Sequence, residues 1–258
     1  MFKHYLLVLV CSVSFLFCTQ FDQPVPTDYE VSSAVKWTMN SVEYAIITEY
    51  LYRSATRTIS TLEPPNEQWV VAMDVDETLL NNVEYNRRRD LLGLGYSSES
   101  WAEWVKEESA TAVPGSIAFV TEVLKNGGQI VLITNRNRDL DQFTWNNLTA
   151  LGFPIDRSNT CIMGRSQADR DSVGESEMIN DKDLRRTQIS TGTATYCWEN
   201  YPETQIHWNK SFSIIYEVGD NIKDFNQTTQ ENVDRLNFID RVSSDVLLLP
   251  NAVYGSWE

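Results

Sequence analysis

Short apolar runs alternate with segments of helical spacing over most of the chain. Residues 114–126 and 140–151 have helical spacing and stop at Gly127-Gly128 and Gly152, respectively. Apolar runs typical of buried strands cover residues 69–73, 129–133, 160–163, 212–218 and 245–249. Strand and helix in this alternation predict an α/β fold with a doubly wound parallel sheet of the Rossmann-like type.

The segment before the first strand, residues 32–62, has a different pattern. Apolar residues recur there at spacings of three and four, which is typical of an amphipathic helix. They are Val35, Met39, Val42, Ile46 and Tyr50. We therefore predict a helix that packs this face against the main domain and ends before Pro64-Pro65.

Residues 81–112 interrupt the alternation with an aromatic and charged stretch. Its aromatic residues include Tyr85, Tyr96, Trp101 and Trp104. The pattern predicts a smaller, mainly helical cap over the carboxyl edge of the sheet, where ligands bind in such folds. The same aromatic side chains also suit the interior of a cap, and both interpretations stay open.

The N-terminal residues have the pattern of an export signal. Basic residues precede an apolar run that is too short to span a bilayer. We predict a signal peptide at residues 1–18, a linker at 19–31 and one folded domain at 32–258. Cys18 suggests a lipid anchor, but large side chains precede it where cleavage favours a small one. The sequence thus predicts an exported protein that is either held in the cell envelope (outer membrane or periplasm) or secreted. The alternatives for its N-terminus are a lipid anchor at Cys18, an uncleaved signal that acts as an anchor, and secretion without an anchor.

The formal net charge of −15 and the pI near 4.6 narrow the range of partners. A surface of this charge repels the phosphate backbone of nucleic acids, which excludes a polymeric nucleic-acid partner. A small anionic ligand is compatible with this surface if a cation lies in the pocket.

The small number of histidines and cysteines limits the catalytic mechanisms and metal centres that the chain can form. Since His4 lies in the predicted signal, His207 is the one histidine of the mature chain. A single histidine argues against a Ser/His/Asp triad and excludes a multi-histidine metal centre. The mature chain keeps Cys161 and Cys197, which form either a disulfide or two buried thiols.

The first predicted strand ends in two carboxylates, Asp74 and Asp76, separated by one residue. Strand alternation would direct them to opposite faces, but a turn can bring both to the edge of the sheet. Burying two acids is costly unless a cation or a reaction requires them. A hard ion such as Mg²⁺ fits these oxygen ligands, whereas the alternative is a solvated acidic turn.

Polar side chains follow two later strands as well. Thr134-Asn135-Arg136 brings a hydroxyl and amide groups to a strand end, where they could hold a phosphoryl oxygen, although such a Thr also caps helices. Asp220 and Asp224 deliver acids after another strand. Lys182 lies in a charged run that either neutralises a phosphoryl group or begins a solvated helix.

These residues resemble the motifs of the haloacid dehalogenase (HAD) superfamily. Asp74-Val-Asp76-Glu-Thr78 is similar to the first motif, Thr134 to the second, Lys182 to the third, and Gly219-Asp220-Asn221 through Asp224 to the fourth. Residues 73–85 further resemble the signature of class C bacterial acid phosphatases of the lipoprotein e(P4) type, which include outer-membrane 5′-nucleotidases. The resemblance covers essentially the whole mature chain and implies a HAD-type fold and a magnesium-dependent acid phosphatase.

The resemblance also implies a role for each carboxylate. Asp74 would attack phosphorus and form an aspartyl phosphate, a route that is open to carboxylates. Asp76 would protonate the leaving oxygen, so it must start the cycle protonated, a form that burial and a neighbouring anion would favour. This implies an activity optimum on the acid side. Mg²⁺ would be held by Asp74, the main-chain carbonyl of Asp76, Asp220 and Asp224.

The remaining candidates would bind the substrate. Thr134 and Lys182 would hold phosphoryl oxygens, with Asn135 and Arg136 beside them. Relatives suggest nucleoside monophosphates whose base stacks between aromatic side chains, and the candidates are Trp101 and Tyr254, with Tyr85 nearby. The motifs also allow an exported phosphatase for sugar, lipid or protein phosphates, and a non-enzymatic surface lipoprotein that binds nucleotide or haem is the alternative from another class.

Overall fold

The computed structural model describes residues 29–63, 65, 67–173, 181–198, 207–242 and 244–258. The predicted signal, Cys18 and the linker as far as residue 28 lie outside the described residues. Within the described part of the chain, none of the helices is both long and apolar enough to span a membrane.

Five parallel strands form the central sheet, and each coincides with one of the predicted apolar runs. They are β1 (Trp69–Met73), β4 (Gln129–Asn137), β5 (Thr160–Arg165), β6 (Ser213–Gly219) and β7 (Val246–Leu248). Their spatial order is β5-β4-β1-β6-β7, and every neighbouring pair is parallel. The predicted α/β fold with a parallel sheet is therefore confirmed.

The helices follow the strands in the expected order. In chain order they are α1 (Ser33–Asn40), α2 (Val42–Thr61), α3 (Val83–Leu91), α4 (Ser98–Lys106), α5 (Ser116–Lys125), α6 (Asp141–Ala150), α7 (Gln167–Val173), α8 (Asp181–Thr191) and α9 (Arg235–Val242). Helices α5 and α6 end just before Gly127 and Gly152, which have the positive φ angles that favour glycine after a helix.

The central strand β1 is buried along its whole length because helices cover both faces of the sheet. Val71 and Met73 lie in the larger core cluster together with Phe119 of α5. Val70 and Ala72 point the other way, into a cluster that contains Ile189 of α8. Successive side chains on a strand alternate between faces, so β1 links both halves of the core.

The segment between β1 and α5 forms a small substructure at the carboxyl edge of the sheet. Its helices α3 and α4 lie between β2 (Leu80–Asn81) and β3 (Thr111–Ala112), two short strands that pair with each other antiparallel. This substructure spans the predicted cap-like insertion at residues 81–112.

The predicted N-terminal packing helix is two helices, and the predicted buried face is wrong. Ser41 separates α1 from α2 and caps α2 by accepting a hydrogen bond from the Tyr44 amide. Val35 is buried as predicted. The remaining members of the predicted face are exposed: Met39 at 39%, Val42 at 67%, Ile46 at 62% and Tyr50 at 63%.

The face that α2 does bury is rich in amphipathic residues. It consists of Tyr44, Thr48, Tyr52, Ala55 and Ile59. The Tyr52 hydroxyl donates to the Thr78 carbonyl at 2.7 Å, and the Thr48 hydroxyl donates to the Tyr44 carbonyl at 2.9 Å. Buried Tyr and Thr are tolerated when their polar atoms have such partners. The spacing of apolar residues in the sequence does not identify this face, because several of its members are Tyr and Thr.

Cys161 and Cys197 form a disulfide, which decides between the two alternatives that the sequence left open. Both residues are buried, and the bond ties β5 to the segment that follows α8. The hydrogen bond from the Trp198 amide to the Ile162 carbonyl, at 2.9 Å, holds the same segment beside β5.

Candidate active site

A turn after β1 brings Asp74 and Asp76 to the carboxyl edge of the sheet. The Asp74 amide still donates to the Val218 carbonyl of β6 at 2.9 Å. Beyond it the amides of Leu79 and Leu80 both donate to the Val75 carbonyl, and this tight turn ends strand alternation. Both carboxylates therefore line one cavity, as the sequence predicted.

Three carboxylates from two separate parts of the chain form a cluster at this edge. Asp74, Asp220 and Asp224 each offer an oxygen, and these oxygens lie within 4.8 Å of one another. Asp220 follows β6 directly and Asp224 ends the short 3₁₀ turn Ile222–Asp224. A β-carbon at Gly219 would collide with the Asp224 side chain, so glycine is what lets this acid approach the strand end.

The surroundings hold two of these carboxylates in place. Asp220 accepts hydrogen bonds from the Thr78 hydroxyl at 3.3 Å and from Nδ2 of Asn251 at 2.8 Å. Asp224 accepts one from the Asn221 amide at 2.8 Å. The cluster is thus positioned by short contacts around it, as metal ligands in proteins commonly are.

Burial makes the charged form of this cluster costly. It raises the pKa of Asp74 to about 7, and the negative charges of Asp224 and Asp76 act in the same direction. Burial also raises the pKa of Asp220 well above its usual range, again reinforced by Asp224 and Asp74. Hard oxygen ligands that repel one another are the donor set that a divalent cation fits.

Lys182 of α8 supplies a positive charge beside the cluster. Its ammonium group lies 2.6 Å from Asp74 Oδ1 and 2.5 Å from Asp224 Oδ1. Burial alone would lower the pKa of Lys182, but the two carboxylates outweigh it and raise the pKa. The residue is therefore a buried, charged partner of the predicted nucleophile.

The contacts of Asp76 differ from the expected ones. We predicted a neighbouring anion that would favour the neutral carboxyl group. Asp74 is such an anion, because its charge interacts with that of Asp76, but Arg136 also donates to Asp76 Oδ1 from Nη2 at 2.7 Å and from Nε at 3.0 Å. Nδ2 of Asn82 donates to the same oxygen at 2.9 Å. The cause is sheet order, because β4 lies next to β1 and its end carries the guanidinium group to Asp76.

The residues predicted at the end of β4 differ in their exposure to the cavity. Thr134 is fully buried, and its hydroxyl accepts a hydrogen bond from the Arg136 amide at 3.1 Å. Asn135 is exposed and, with Arg136, lines the cavity. The role of Thr134 toward phosphoryl oxygens stays a prediction.

The cavity above the carboxylates has a volume of about 530 Å³ and an aromatic wall. Tyr85, Tyr96, Trp101 and Tyr254 line it, so all three predicted aromatic residues are present. Tyr85 packs edge-to-face on Trp101 with ring centroids 4.9 Å apart. The Arg136 guanidinium lies 5.7 Å from the Trp101 ring, which places the aromatic wall directly beside the polar floor.

Sequence reasoning gave no role to Asn82, Asn251 or Glu77. Glu77 is buried and accepts a hydrogen bond from the Asn82 amide at 2.8 Å, and its backbone has a positive φ of 52°. Asn251 reaches Asp220 from the C-terminal segment that crosses the edge of the sheet. The resemblance of residues 73–85 and 249–258 to one family was the only signal that could have pointed to them.

Comparisons with known proteins show which family and which fold this chain resembles. The model of a family described as HAD superfamily, subfamily IIIB (acid phosphatase) matches residues 18–257. The class C acid phosphatase of Bacillus anthracis has a similar structure, with a TM-score of 0.69 and 21% identity over 87% of this chain and 84% of that one. Its tungstate-bound form gives a TM-score of 0.68 and 20% identity with the same coverage.

A tomato (Solanum lycopersicum) protein named acid phosphatase 1 is 33% identical over 85 residues. That stretch is 33% of this chain, and the chain matches about a third of the length of this curated relative (32%). At this level of identity, the similarity to the B. anthracis structures shows a shared fold.

Proposed function

The chain belongs to the acid phosphatase subfamily IIIB of the HAD superfamily, and from that premise we propose that it hydrolyses phosphomonoesters through an aspartyl-phosphate intermediate on Asp74. The observation that carries this proposal is the pairing of Asp74 with Lys182, 2.6 Å apart, in a cavity that Asp76 also lines. A nucleophile, a fixed positive charge and a proton-transfer group therefore share one space.

In the first step a carboxylate oxygen of Asp74 attacks phosphorus while the bond from phosphorus to the ester oxygen breaks. Asp76 gives its proton to that oxygen, and the product leaves as an alcohol. Lys182 beside Asp74 neutralises charge on the phosphoryl oxygens, and Asn135 and Arg136 line the same cavity.

In the second step water attacks the phosphorus of the aspartyl phosphate. Asp76, now ionised, takes a proton from that water, and the bond between phosphorus and Asp74 breaks. Inorganic phosphate leaves, and both aspartates return to their starting forms. The pairing of Asp76 with Arg136 and Asn82 keeps its carboxylate in one place through both steps.

Mg²⁺ is the cofactor that we propose for this site. Asp74, Asp220 and Asp224 would hold it with the main-chain carbonyl of Asp76, and the ion would neutralise charge on the transferring phosphoryl group. The mutual repulsion of the carboxylates supports a divalent cation, because burial and the neighbouring negative charges raise the pKa values of Asp74 and Asp220.

We propose nucleoside monophosphates as substrates. The cavity of about 530 Å³ joins a polar floor to an aromatic wall, which suits a ligand with a phosphate at one end and a base at the other. Trp101 and Tyr254 are the proposed stacking residues, and stacking on aromatic rings tolerates any base. The relative bound to tungstate holds another oxyanion, which fits a phosphate site in this family.

Export is a further part of the proposal. The disulfide between Cys161 and Cys197 supports it, since such bonds persist in oxidising compartments and are rare in the cytosol. Lipidation at Cys18 would add the envelope anchor.

Phosphate release from several substrates tests the proposal. AMP, a sugar phosphate, phosphotyrosine and a small aryl phosphate are compared for the wild type, for Asp74→Asn and for the exposed control Asp240→Asn. We expect activity in the wild type and the control and none above background in Asp74→Asn. Full activity in Asp74→Asn would refute the nucleophile, and nucleotide binding without any hydrolysis would favour a binding protein instead.

The substrate class has its own test. Trp101→Ala and Tyr254→Ala should raise KM for AMP about tenfold or more, as expected for the loss of one stacking contact, and should leave KM for the aryl phosphate nearly unchanged. Equal changes for both substrates would refute base stacking and favour sugar, lipid or protein phosphates.

A further inference from the structure

Asn82 occupies a buried position between the cap and the proposed proton donor. Its side chain is fully buried, and it follows β2 at the start of α3. Nδ2 donates to Asp76 Oδ1 at 2.9 Å and to the Leu80 carbonyl at 3.3 Å. The backbone amide donates to Glu77 at 2.8 Å. Both the side chain and the backbone of Asn82 are therefore fixed.

Trp104 of α4 determines which way round the Asn82 amide lies. Its indole Nε1 donates to Asn82 Oδ1 at 2.8 Å. An indole N–H group is only a donor, so it requires the carbonyl oxygen of the amide on its side. The NH₂ group must then face Asp76. A residue of the cap helix thereby ensures that Asp76 receives a hydrogen bond from Asn82.

The two oxygens of Asp76 are left in different surroundings. Oδ1 accepts from Asn82 Nδ2 and from two nitrogens of Arg136 at 2.7 and 3.0 Å. Oδ2 accepts only the longer contact from Arg136 Nε, at 3.2 Å, within the described residues. An oxygen that already accepts several donors has no free lone pair for a proton, so the proton of the neutral acid belongs on Oδ2.

We propose that Asn82, oriented by Trp104, is a positioning residue that reserves Asp76 Oδ2 as the oxygen that carries and delivers the proton. This inference rests on the proposed phosphatase function. It adds that the cap helix α4 controls proton transfer through one amide, in addition to forming part of the aromatic wall. Without that amide Asp76 is held, among the described residues, by Arg136 alone, whose Nε contacts both carboxyl oxygens, and the proton is less strictly directed at the leaving oxygen.

The dependence of the rate on the leaving group separates this role from a merely structural one. Phenyl phosphate and p-nitrophenyl phosphate have nearly the same shape, but phenolate needs a proton more than the stabilised nitrophenolate does. The ratio kcat/KM covers only the steps up to departure of the leaving group. A defect in proton delivery must therefore lower kcat/KM for phenyl phosphate more than for the nitro compound.

The experiment measures kcat/KM for both esters, with saturating Mg²⁺, in the wild type, Asn82→Ala, Trp104→Phe and the control Asn147→Ala. Asn147 is also buried, and its Nδ2 donates to the Ala110 carbonyl at 3.0 Å, away from the cavity. We expect Asn82→Ala to lose roughly 100-fold on phenyl phosphate, the lower end of what general acid catalysis contributes, and less than tenfold on the nitro compound.

Trp104→Phe keeps an aromatic ring but removes the N–H donor, so it should show the same imbalance at about tenfold, even if Asn82→Ala does not fold. Asn147→Ala should lower both rates equally or leave both unchanged. Equal losses on the two esters in Asn82→Ala or in Trp104→Phe would overturn the inference while leaving the phosphatase intact. A wild type that releases phosphate from neither ester would overturn the proposed function, and the inference with it.

Discussion

Asp141 is a buried acid outside the active site, and its substitution should change how stability depends on pH. It is the first residue of α6 and has no solvent exposure. Oδ2 accepts hydrogen bonds from the Tyr196 hydroxyl at 2.7 Å and the Gly164 amide at 3.2 Å. Among the described residues Oδ1 has no hydrogen-bond partner, and it lies so close to Gly164 that a β-carbon there would collide with it.

The magnitude follows from the pKa. Burial raises the pKa of Asp141 from 3.8 to about 7, although the bonds from Tyr196 and Gly164 act in the opposite direction. A shift of about three units, at about 1.4 kcal/mol per unit, corresponds to roughly 4 kcal/mol. Because the folded-state pKa is raised, this stability is fully present below about pH 4 and is lost as the pH rises through about 7.

Asp141→Asn removes this titration. The amide oxygen can still accept from Tyr196 and Gly164, and the side chain stays neutral at every pH. We therefore expect the free energy of unfolding of Asp141→Asn, relative to the wild type, to increase by roughly 4 kcal/mol between pH 4 and pH 8. Urea unfolding at fixed ionic strength and fixed Mg²⁺ concentration measures it.

Asp139→Asn is the matched control, since Asp139 is an exposed acid two residues away. If the pH dependence of Asp141→Asn equals that of the wild type and of Asp139→Asn, Asp141 does not titrate abnormally and the reasoning fails.

Two further predictions concern the disulfide and the metal ligands. The disulfide joins two residues that are 36 positions apart in the chain. Replacing Cys161 and Cys197 together by Ala should lower the free energy of unfolding, measured in urea, by roughly 3–4 kcal/mol. An unchanged value would mean that the bond adds no stability. Asn251→Ala, which removes the donor to Asp220, should weaken Mg²⁺ binding about tenfold by calorimetry, whereas an unaltered affinity would exclude Asp220 as a ligand that Asn251 orients.

The sheet was predictable from the sequence because its strands and the ends of its helices have short local sequence patterns. Strands buried on both faces read as apolar runs, and glycines such as Gly127 and Gly152 mark where helices end. The carboxylates were predictable too, since the carboxyl ends of neighbouring parallel strands meet at one edge. Asp74 and Asp220 lie 146 residues apart in the chain but are neighbours there.

The remaining features depend on contacts that no local pattern encodes. The buried face of α2 is built from Tyr and Thr residues whose polar atoms are satisfied only in the fold. The ion pair between Arg136 and Asp76 joins residues 60 positions apart. Lys182 begins a charged helix that in isolation resembles any solvated one, and its burial against Asp74 arises only when α8 packs against the sheet.

Direct identification of the covalent intermediate tests the central claim most sharply. The enzyme is mixed with a phosphomonoester, quenched in acid within milliseconds and treated with borohydride, which reduces an aspartyl phosphate to homoserine. Mass spectrometry of the peptide that contains residues 69–85 then locates the change. The account predicts homoserine at position 74, an unmodified Asp76, and no homoserine in Asp74→Asn. Steady release of phosphate with homoserine at another position, or with none at all, would contradict it.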